Sequence, residues 1–306
     1  MSVAAIRYYM KHPRAILSKL SQMGLTSWIP DELYLHFYWP TKQMGYKLNL
    51  NNPKTFNEKN NWRKLHDRRD IYTQMVDKYR AKEFIAERCG EGHTARLLGV
   101  WDDPADIDFD ALPDQFVLKP NHAGGIIVCR DKSTFDKKKA VKELKAALKR
   151  NYYLASREWP YKNVERKIIA EEYLGENLIE YNNYCFNGRL VFTGVSENIS
   201  RADGRKPQDF FCGAYDREWK KYEIGKDCAS IEKECPQPTC YQQMLEIAEK
   251  LSKDTIFLRV DCFLEDERLC FGEMTFFPTG GFTKFKDRVW DEKLGELEKL
   301  PFEELQ

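Results

Sequence analysis

The apolar and polar positions of this chain follow a helical period in some stretches and a two-residue period in others. Residues 56–68 and 72–90 are charged and free of proline, which predicts two helices, the second ending near Gly90. The helical period returns twice, with apolar faces made of Val141, Leu144 and Leu148 and of Met244, Leu245, Ala248 and Leu251. These segments predict helices with one buried face.

Between the helices the pattern changes to that of strands. FVLK, IIVC and KIIAEEYL are short apolar runs, and NNYCFNGRLVFTGVSE predicts two strands joined by a turn at Asn187-Gly188. IFLRVDCFLEDERLCFGEMTFF predicts a second hairpin that turns at the charged EDER. Mixed helices and frequent hairpins indicate an α+β fold with antiparallel sheets partly covered by helices.

The first 47 residues differ from the rest. They are aromatic and basic, and they are interrupted by Pro13, Pro30 and Pro40. Short helices packed on the main body are one interpretation. A membrane-surface or partner-facing segment is the other, because basic residues lie among apolar ones. These basic residues are Arg7, Lys11, Arg14 and Lys19.

Composition narrows the classes of protein that remain. The 306 residues are 42% hydrophobic and 32% charged, with 49 Lys and Arg against 48 Asp and Glu. A net charge near zero gives no global attraction to nucleic acid, so we expect no nucleic-acid partner. No uncharged run reaches the roughly 18 residues of a membrane span. Nine cysteines without paired spacing favour reduced thiols, and hence a cytoplasmic protein or one at the inner face of the membrane.

The second hairpin contains the clearest candidate chemistry. Alternation places Arg259, Asp261 and Phe263 on one face of its first strand, and Phe271, Glu273 and Thr275 on one face of its second. Unpaired charges among these apolar residues would be costly to bury. Either the charges form plain ion pairs, or the acids hold a hard cation such as Mg²⁺ and the arginine faces a phosphate.

The stretch FVLKPNHAGG delivers Lys119 to the end of an apolar strand and then opens into a loop with Gly124 and Gly125. A fixed ammonium beside flexible backbone N–H groups suits a polyphosphate, although the stretch is not a Walker A loop. His122 is either a phosphate contact or a hydrogen-bonded loop residue. A lysine that is merely solvated is the alternative for Lys119.

An extended segment follows in KIIAEEYL and consists of Glu171, Glu172, Tyr173 and Leu174. Its backbone N–H and C=O groups, with one carboxylate, suit the edge of an adenine ring. Strand alternation allows only one of the two glutamates to face such a ligand. The sequence does not decide between them.

The order of several motifs along the chain resembles that of the ATP-grasp superfamily. The motifs are Lys78 in VDKYRAK, Lys119 in FVLKPNHAGG, and then AEEYL, RVDCF and FGEMTFFPTGGF. The resemblance implies ATP held between two α+β subdomains, two lysines on the phosphates and a hinge glutamate near adenine. Arg259-x-Asp261 and Glu273-x-Thr275 match in spacing the R-x-D and E-x-N pairs of D-alanine–D-alanine ligases, whose acids bind two Mg²⁺ ions. Thr275 departs from the usual asparagine.

A further segment is similar to the marker segment of the TupA-like branch, which is named for teichuronopeptide biosynthesis. This segment is NPKTFNEKNNWRKLHDRRDIYTQMVDKY. The likeness runs from about residue 48 to about residue 285. It implies a helical extension over 1–47, the first part of an ATP-grasp module over 48–112, a lid and hinge over 113–175, and a metal-binding subdomain over 176–306.

The resemblance further implies that a carboxylate attacks the γ-phosphate of ATP and that an amine then displaces phosphate to form an amide. Arg259 would clamp the transferring phosphate. The implied substrates are a carboxylated sugar and an amino acid or amine, in cell-surface polysaccharide assembly.

Three alternatives stay open. The first is a glycosyltransferase, for which Asp102-Asp103 is the nearest acidic pair, the second a kinase that stops at phosphoryl transfer, and the third a binding scaffold without turnover. Tyr184 and Arg189 either face the acceptor or form an exposed hairpin pair.

Overall fold

A computed structural model describes residues 15–176, 178–197, 211–225, 234–265 and 267–301. The α-helices within these residues are α1 (Ala15–Gln22), α2 (Asp31–Tyr38), α3 (Phe56–His66), α4 (Ile71–Val76), α5 (Ala81–Cys89), α6 (Lys137–Leu148), α7 (Tyr152–Ser156), α8 (Tyr241–Ser252) and α9 (Arg288–Leu297). The strands are β1 (Leu97–Trp101), β2 (Phe116–Pro120), β3 (Ile127–Cys129), β4 (Ile168–Glu172), β5 (Ile179–Phe186), β6 (Arg189–Ser196), β7 (Phe211–Asp216), β8 (Phe257–Glu265) and β9 (Arg268–Thr275).

The strands form two antiparallel sheets. The smaller sheet has the order β1-β4-β2-β3 and the larger has the order β7-β6-β5-β8-β9. Helix α6 packs on the smaller sheet through Leu144, whose neighbours include Phe116 and Leu118 of β2. Helix α8 packs on the larger sheet through Met244 and its apolar neighbours. The predicted α+β class and both of these helices are confirmed.

Both predicted hairpins are also confirmed. Asn187 and Gly188 have φ of 49° and 75°, the left-handed pair that a two-residue hairpin turn requires, and they join β5 to β6. Strands β8 and β9 pair from Glu265↔Arg268 back to Arg259↔Thr275. The charged residues Arg259, Asp261 and Glu273 lie on this second hairpin.

Helix α3 is an exception to simple amphipathic patterning, because most of its polar side chains are buried. A capping box begins the helix: Thr55 accepts a hydrogen bond from the Glu58 N–H, and the Glu58 carboxylate accepts one from the Thr55 N–H. Such a cap stabilises a helix by about 1 kcal/mol. The buried polar groups are therefore expected to have partners elsewhere in the fold.

Several of those partners lie in the segment that follows β9. Asn61 donates its side-chain N–H to the Gly281 carbonyl at 2.9 Å, and Lys64 Nζ donates to the Gly280 carbonyl at 2.6 Å. These bonds hold residues 278–281 in place directly after the charged end of β9. Helix α3 thus positions one wall of the cleft described below.

Residues 15–47 of the N-terminal segment pack on the main body, as the first of its two interpretations predicts. Arg7, Lys11 and Arg14, on which the second interpretation rests, lie outside the described residues. Tyr38 and Trp39 contact the ring of Phe282, with ring centroids 5.3 and 5.9 Å apart. Among the described residues, no helix is both long and apolar enough to cross a membrane. Seven cysteines in the described ranges have free thiols.

Candidate active site

A cleft between the two sheets opens into two connected cavities. The first, of about 40 Å³, is lined by Lys82 of α5, Lys119 of β2 and Glu171 of β4, and by residues of β8 and β9. The second, of about 480 Å³, extends from the same cleft toward the N-terminal segment. Lys78 and Glu273 line both cavities. The cleft therefore brings together motifs that are far apart in the sequence.

The helix predicted over residues 72–90 is wrong in one respect: it is two helices, α4 and α5, separated at Asp77–Arg80. Asp77 causes the break, because its Oδ1 accepts hydrogen bonds from the N–H of Tyr79 and from the side chain of Asn121. The Lys78 N–H in turn donates to the Asn121 carbonyl at 3.0 Å. The break turns Lys78 into the cleft, where its Nζ lies 3.0 Å from Glu273 Oε1.

Strand β4 settles the orientation of the two adjacent glutamates. Glu171 faces the cleft, where its oxygens lie 2.5 Å from Lys119 Nζ and 2.7 Å from Lys82 Nζ. Glu172 points away and accepts a hydrogen bond from Arg268 Nη2 at 2.8 Å. Glu172 therefore lines neither cavity of the cleft, whereas Glu171 lines the smaller one.

Lys82 is a cleft residue that the sequence reasoning did not single out, although it lies four positions after Lys78 at helical spacing. Burial lowers the pKa of Lys82, with Glu171 opposing. Burial would raise the pKa of Glu171, but Lys119 and Lys82 overcome this effect and lower it. The two lysines therefore keep a buried carboxylate ionised.

On the β8–β9 hairpin, Asp261 is the register partner of Glu273, and Arg259 is the partner of Thr275. Arg259 donates two hydrogen bonds to Asp261, at 2.7 and 2.6 Å, and one to Thr275 Oγ1 at 3.2 Å. Burial raises the pKa of Asp261 to about 6, against the lowering effect of Arg259. Without a ligand, these side chains form hydrogen bonds with one another.

Phe271 does not share the face of Glu273, contrary to the prediction. The pairing shifts between Asp261↔Glu273 and Cys262↔Phe271, so Gly272 is an extra residue in β9. The shift turns Phe271 into the main core beside Cys262. Uninterrupted alternation had placed it on the charged face.

Glu273 is the most accessible carboxylate of the cleft, with 36% of its side chain exposed against 7% for Glu171. Burial would raise its pKa, but Lys78 and Arg259 hold it down at about 2. Glu273 is thus ionised and open to a ligand at neutral pH.

The donors near Glu273 fit magnesium. Asp261, Glu273 and Thr275 offer hard oxygen atoms on neighbouring strands. The described residues contain no group of three or more His, Cys, Asp or Glu that could hold a metal by themselves. A metal here would need further oxygen ligands from phosphate and water, which is the usual situation for Mg²⁺ in nucleotide sites.

The loop between β2 and β3 lies over the larger cavity. Gly125 has a φ of 117°, which favours glycine, and Gly124 accepts a hydrogen bond from Arg150 Nη1 at 2.7 Å and donates its N–H to Tyr152 Oη. His122 is buried and its Nε2 lies 3.2 Å from the Arg150 carbonyl. Burial, aided by Arg166, lowers its pKa to about 4, so the imidazole is neutral at physiological pH.

Of the other residues predicted for the site, some line a cavity and others do not. Leu174 lines the smaller cavity, whereas the ring of Tyr173 lies 5.9 Å from the Arg130 guanidinium and does not line it. Tyr184 is buried and stacks on Phe192 at 4.3 Å, so it is not part of an exposed hairpin pair, and it lines neither cavity. Several cavity residues were missed because they lie outside recognisable motifs. These are Lys42, Tyr152, Ser156, Glu158 and Tyr161.

The profile of the TupA-like ATPgrasp family matches residues 58–299. No curated protein sequence matches the chain. Similar solved structures include the D-alanine–D-alanine ligase from Bacillus anthracis complexed with ATP (14% identity, 74% of this chain, 68% of that chain, TM-score 0.39). The N5-carboxyaminoimidazole synthetase from Staphylococcus aureus complexed with ADP is 14% identical over 66% of this chain and 44% of its own, with a TM-score of 0.39.

The L-amino acid ligase from Bacillus licheniformis is 14% identical over 84% of this chain and 53% of its own, with a TM-score of 0.43. The chain thus spans less than two thirds of the last two proteins. Likeness at this level does not bear on the reaction, for which the family match and the cleft itself are the guides.

Proposed function

The chain belongs to the TupA-like ATP-grasp family, and from that premise we propose that it is an ATP-dependent carboxylate–amine ligase. The observation on which the proposal rests is the charge of the cleft. Around the phosphate-site motifs the cations are Lys78, Lys82, Lys119 and Arg259, and the carboxylates are Glu171, Asp261 and Glu273. Four cations against three carboxylates leave one excess positive charge, which suits a polyanionic nucleotide.

In the first step the substrate carboxylate attacks the γ-phosphorus of ATP, the bond to the bridging oxygen breaks, and ADP leaves. Lys78 and Lys119 would move from their carboxylates to the triphosphate and reduce its repulsion of the incoming anion. Arg259 would clamp the transferring phosphoryl group with its planar guanidinium. Asp261 and Glu273 would hold Mg²⁺, which, when bound, neutralises charge on phosphoryl oxygens.

In the second step the amine nitrogen attacks the carbonyl of the acylphosphate, and phosphate leaves with the loss of one proton from nitrogen. Arg259 would stabilise the negative oxygen of the tetrahedral intermediate. Gly124 and Gly125, in the exposed loop over the larger cavity, would close and exclude water from the acylphosphate. Glu171 and Leu174, which line the smaller cavity, would contact the adenine.

For the substrates we propose a carboxylated sugar, such as a uronic acid, and an amino acid or amine, in cell-surface polysaccharide assembly. The resemblance noted in the sequence, to a branch named for teichuronopeptide biosynthesis, supports this class of substrates. The glycosyltransferase alternative finds less support. Asp102 and Asp103 are exposed and pair with Lys167 and Lys145, outside the cleft.

The proposal is tested by incubating the protein with Mg-ATP, glucuronic or galacturonic acid, and hydroxylamine in place of the amine. We expect ADP release that requires the carboxylate, together with a hydroxamate from capture of the acylphosphate. With the natural amine, ADP, phosphate and amide should form in equal amounts. Sugar transfer from a nucleotide sugar without ATP would contradict the ligase. A stable phosphate ester formed without any amine would identify a kinase.

We further propose that the N-terminal segment contacts an anionic membrane surface. Seven large apolar side chains between residues 16 and 37 are exposed, and Trp28 is 80% exposed. They are Ile16, Leu20, Met23, Leu25, Trp28, Leu33 and Phe37. Several exposed apolar side chains within one short segment suit contact with a lipid surface, and the preceding basic residues Lys11 and Arg14 in the sequence suit anionic lipid.

Trp28→Ser together with Phe37→Ser is expected to weaken binding to phosphatidylglycerol vesicles by about tenfold or more, because each apolar side chain contributes roughly 1.5–3 kcal/mol when buried. Cosedimentation measures the binding. Val289→Ser removes an exposed apolar side chain elsewhere and serves as the control. If the wild-type protein does not bind these vesicles, or binds neutral vesicles equally well, the patch serves another partner.

A further inference from the structure

The larger cavity has a far wall that contains none of the phosphate-site motifs. This wall comes from the N-terminal segment and from residues 152–161, and it lines the same cavity as Lys78, Arg259 and Glu273. Its polar members include Gln22, Tyr38, Lys42, Ser156, Glu158 and Tyr161. The N-terminal segment therefore contributes directly to the cavity in which the second substrate must lie.

Lys42 is fixed on this wall by aromatic packing. It is the last residue of a 3-10 helix, Trp39–Lys42, and its Nζ lies 4.6 Å from the ring centroid of Tyr38 and 5.6 Å from that of Phe282. Within the described ranges, no carboxylate lies at ion-pair distance from this ammonium group. Lys42 thus offers the cavity a positioned cation without a counter-ion.

Glu158 offers the opposite charge. It is only 7% exposed, and its Oε1 accepts a hydrogen bond from Ser156 Oγ at 2.5 Å. Its Oε2 has no hydrogen-bond partner among the residues that the structure describes. Lys64 lies nearby but donates to Asn61 Oδ1 and the Gly280 carbonyl instead. Burial raises the pKa of Glu158, and the nearby Lys64 ammonium group opposes this effect.

Lys42 and Glu158 thus line one cavity as opposite charges that form no ion pair with each other. Opposite charges that line one cavity without pairing can each bind a charged group of a ligand, because charge-assisted hydrogen bonds are the strong ones. A simple amine would leave Lys42 unpaired, and a simple acid would leave Glu158 unpaired. A zwitterion satisfies both.

We propose that Lys42 and Glu158 form the acceptor subsite and that the acceptor is an amino acid, with its ammonium group on Glu158 and its carboxylate on Lys42. This inference rests on the proposed ligase function. The donor carboxylate must meet the γ-phosphate beside Lys78 and Arg259, which leaves the far wall for the nucleophile. The free amine of the bound amino acid then attacks across the cavity.

Binding is measured by calorimetry with a non-hydrolysable ATP analogue present, using the twenty common L-amino acids and the corresponding decarboxylated amines. We expect the wild-type protein to bind at least one amino acid about tenfold more tightly than its amine, the effect of one well-placed ion pair. Lys42→Met should abolish this preference. Glu158→Gln should weaken the amino acid and the amine alike.

Lys47→Met is the matched control, because Lys47 is exposed on the same segment and does not line the cavity. Lys42→Met keeps the test decisive if Glu158→Gln does not fold. Equal binding of amino acid and amine by the wild-type protein, no binding of either, or a preference that survives Lys42→Met would overturn the subsite. If amino acids bind through Lys42 while no ADP is released, the subsite stands and the ligase proposal falls. If hydroxamate forms but Lys42→Met changes nothing, the ligase stands and the subsite falls.

Discussion

Glu273→Gln is expected to lower the turnover number by about 10²–10³, the size of effect seen when one preorganised electrostatic group is removed from an active site. The substitution removes charge with little change in volume. Lys78 Nζ lies 3.0 Å from Glu273 Oε1, and a glutamine oxygen can still accept that hydrogen bond. The local fold should therefore survive.

The physical reason lies in the two states of the carboxylate. In the structure Glu273 pairs with Lys78, which also lines the cavity where the phosphates would lie. When nucleotide binds, the lysine would turn to phosphate and the carboxylate would take Mg²⁺. A neutral amide binds Mg²⁺ more weakly, so the Mg²⁺ concentration for half-maximal activity should rise.

Steady-state kinetics at varied Mg²⁺ and urea unfolding at neutral pH measure the two consequences. Unfolding should change by no more than about 1 kcal/mol, because the pair is partly exposed. Glu172→Gln is the control, since it removes an outward-facing carboxylate of β4 and should leave turnover unchanged. A loss of activity that merely follows a loss of stability would indicate a structural ion pair. Wild-type turnover with wild-type Mg²⁺ dependence would exclude the metal role.

Lys119→Met is expected to lower kcat/KM for ATP by roughly 10- to 100-fold, because a charge-assisted hydrogen bond contributes about 1.5–3 kcal/mol. Methionine is similar in length and suits a side chain that is only 12% exposed. Glu171 would keep Lys82 as its partner, which limits the loss of stability. The substitution removes a contact to the phosphates of ATP and leaves the contacts to the acyl group in place.

ADP release and hydroxamate formation should consequently fall in the same proportion, because Lys119 acts before the acylphosphate forms. Coupled-enzyme and hydroxamate assays on one preparation measure both. Lys138→Met removes an exposed ammonium from α6 of the same lobe and should change neither rate. A variant that releases ADP at the wild-type rate but forms no hydroxamate would place Lys119 in the second step instead.

The sequence predicted well those elements whose pattern is local. The β8–β9 hairpin follows from alternation on either side of a charged turn, and the pairing of Asp261 with Glu273 follows from that hairpin. The same rule failed at Phe271, because one extra residue at Gly272 shifts the register. Alternation cannot detect a bulge, although glycine within a strand is a frequent sign of one.

The sequence by itself thus determined the α+β class, the hairpins and the motif residues that line the cleft. Tertiary structure alone decided how those residues meet. The break that turns Lys78 inward depends on a hydrogen bond from Asn121, 44 positions away from Asp77. Lys42 reaches the larger cavity because Phe282, near the opposite end of the chain, anchors its segment. Contacts between distant segments leave no period in the sequence, because each partner satisfies its local pattern equally well without the other.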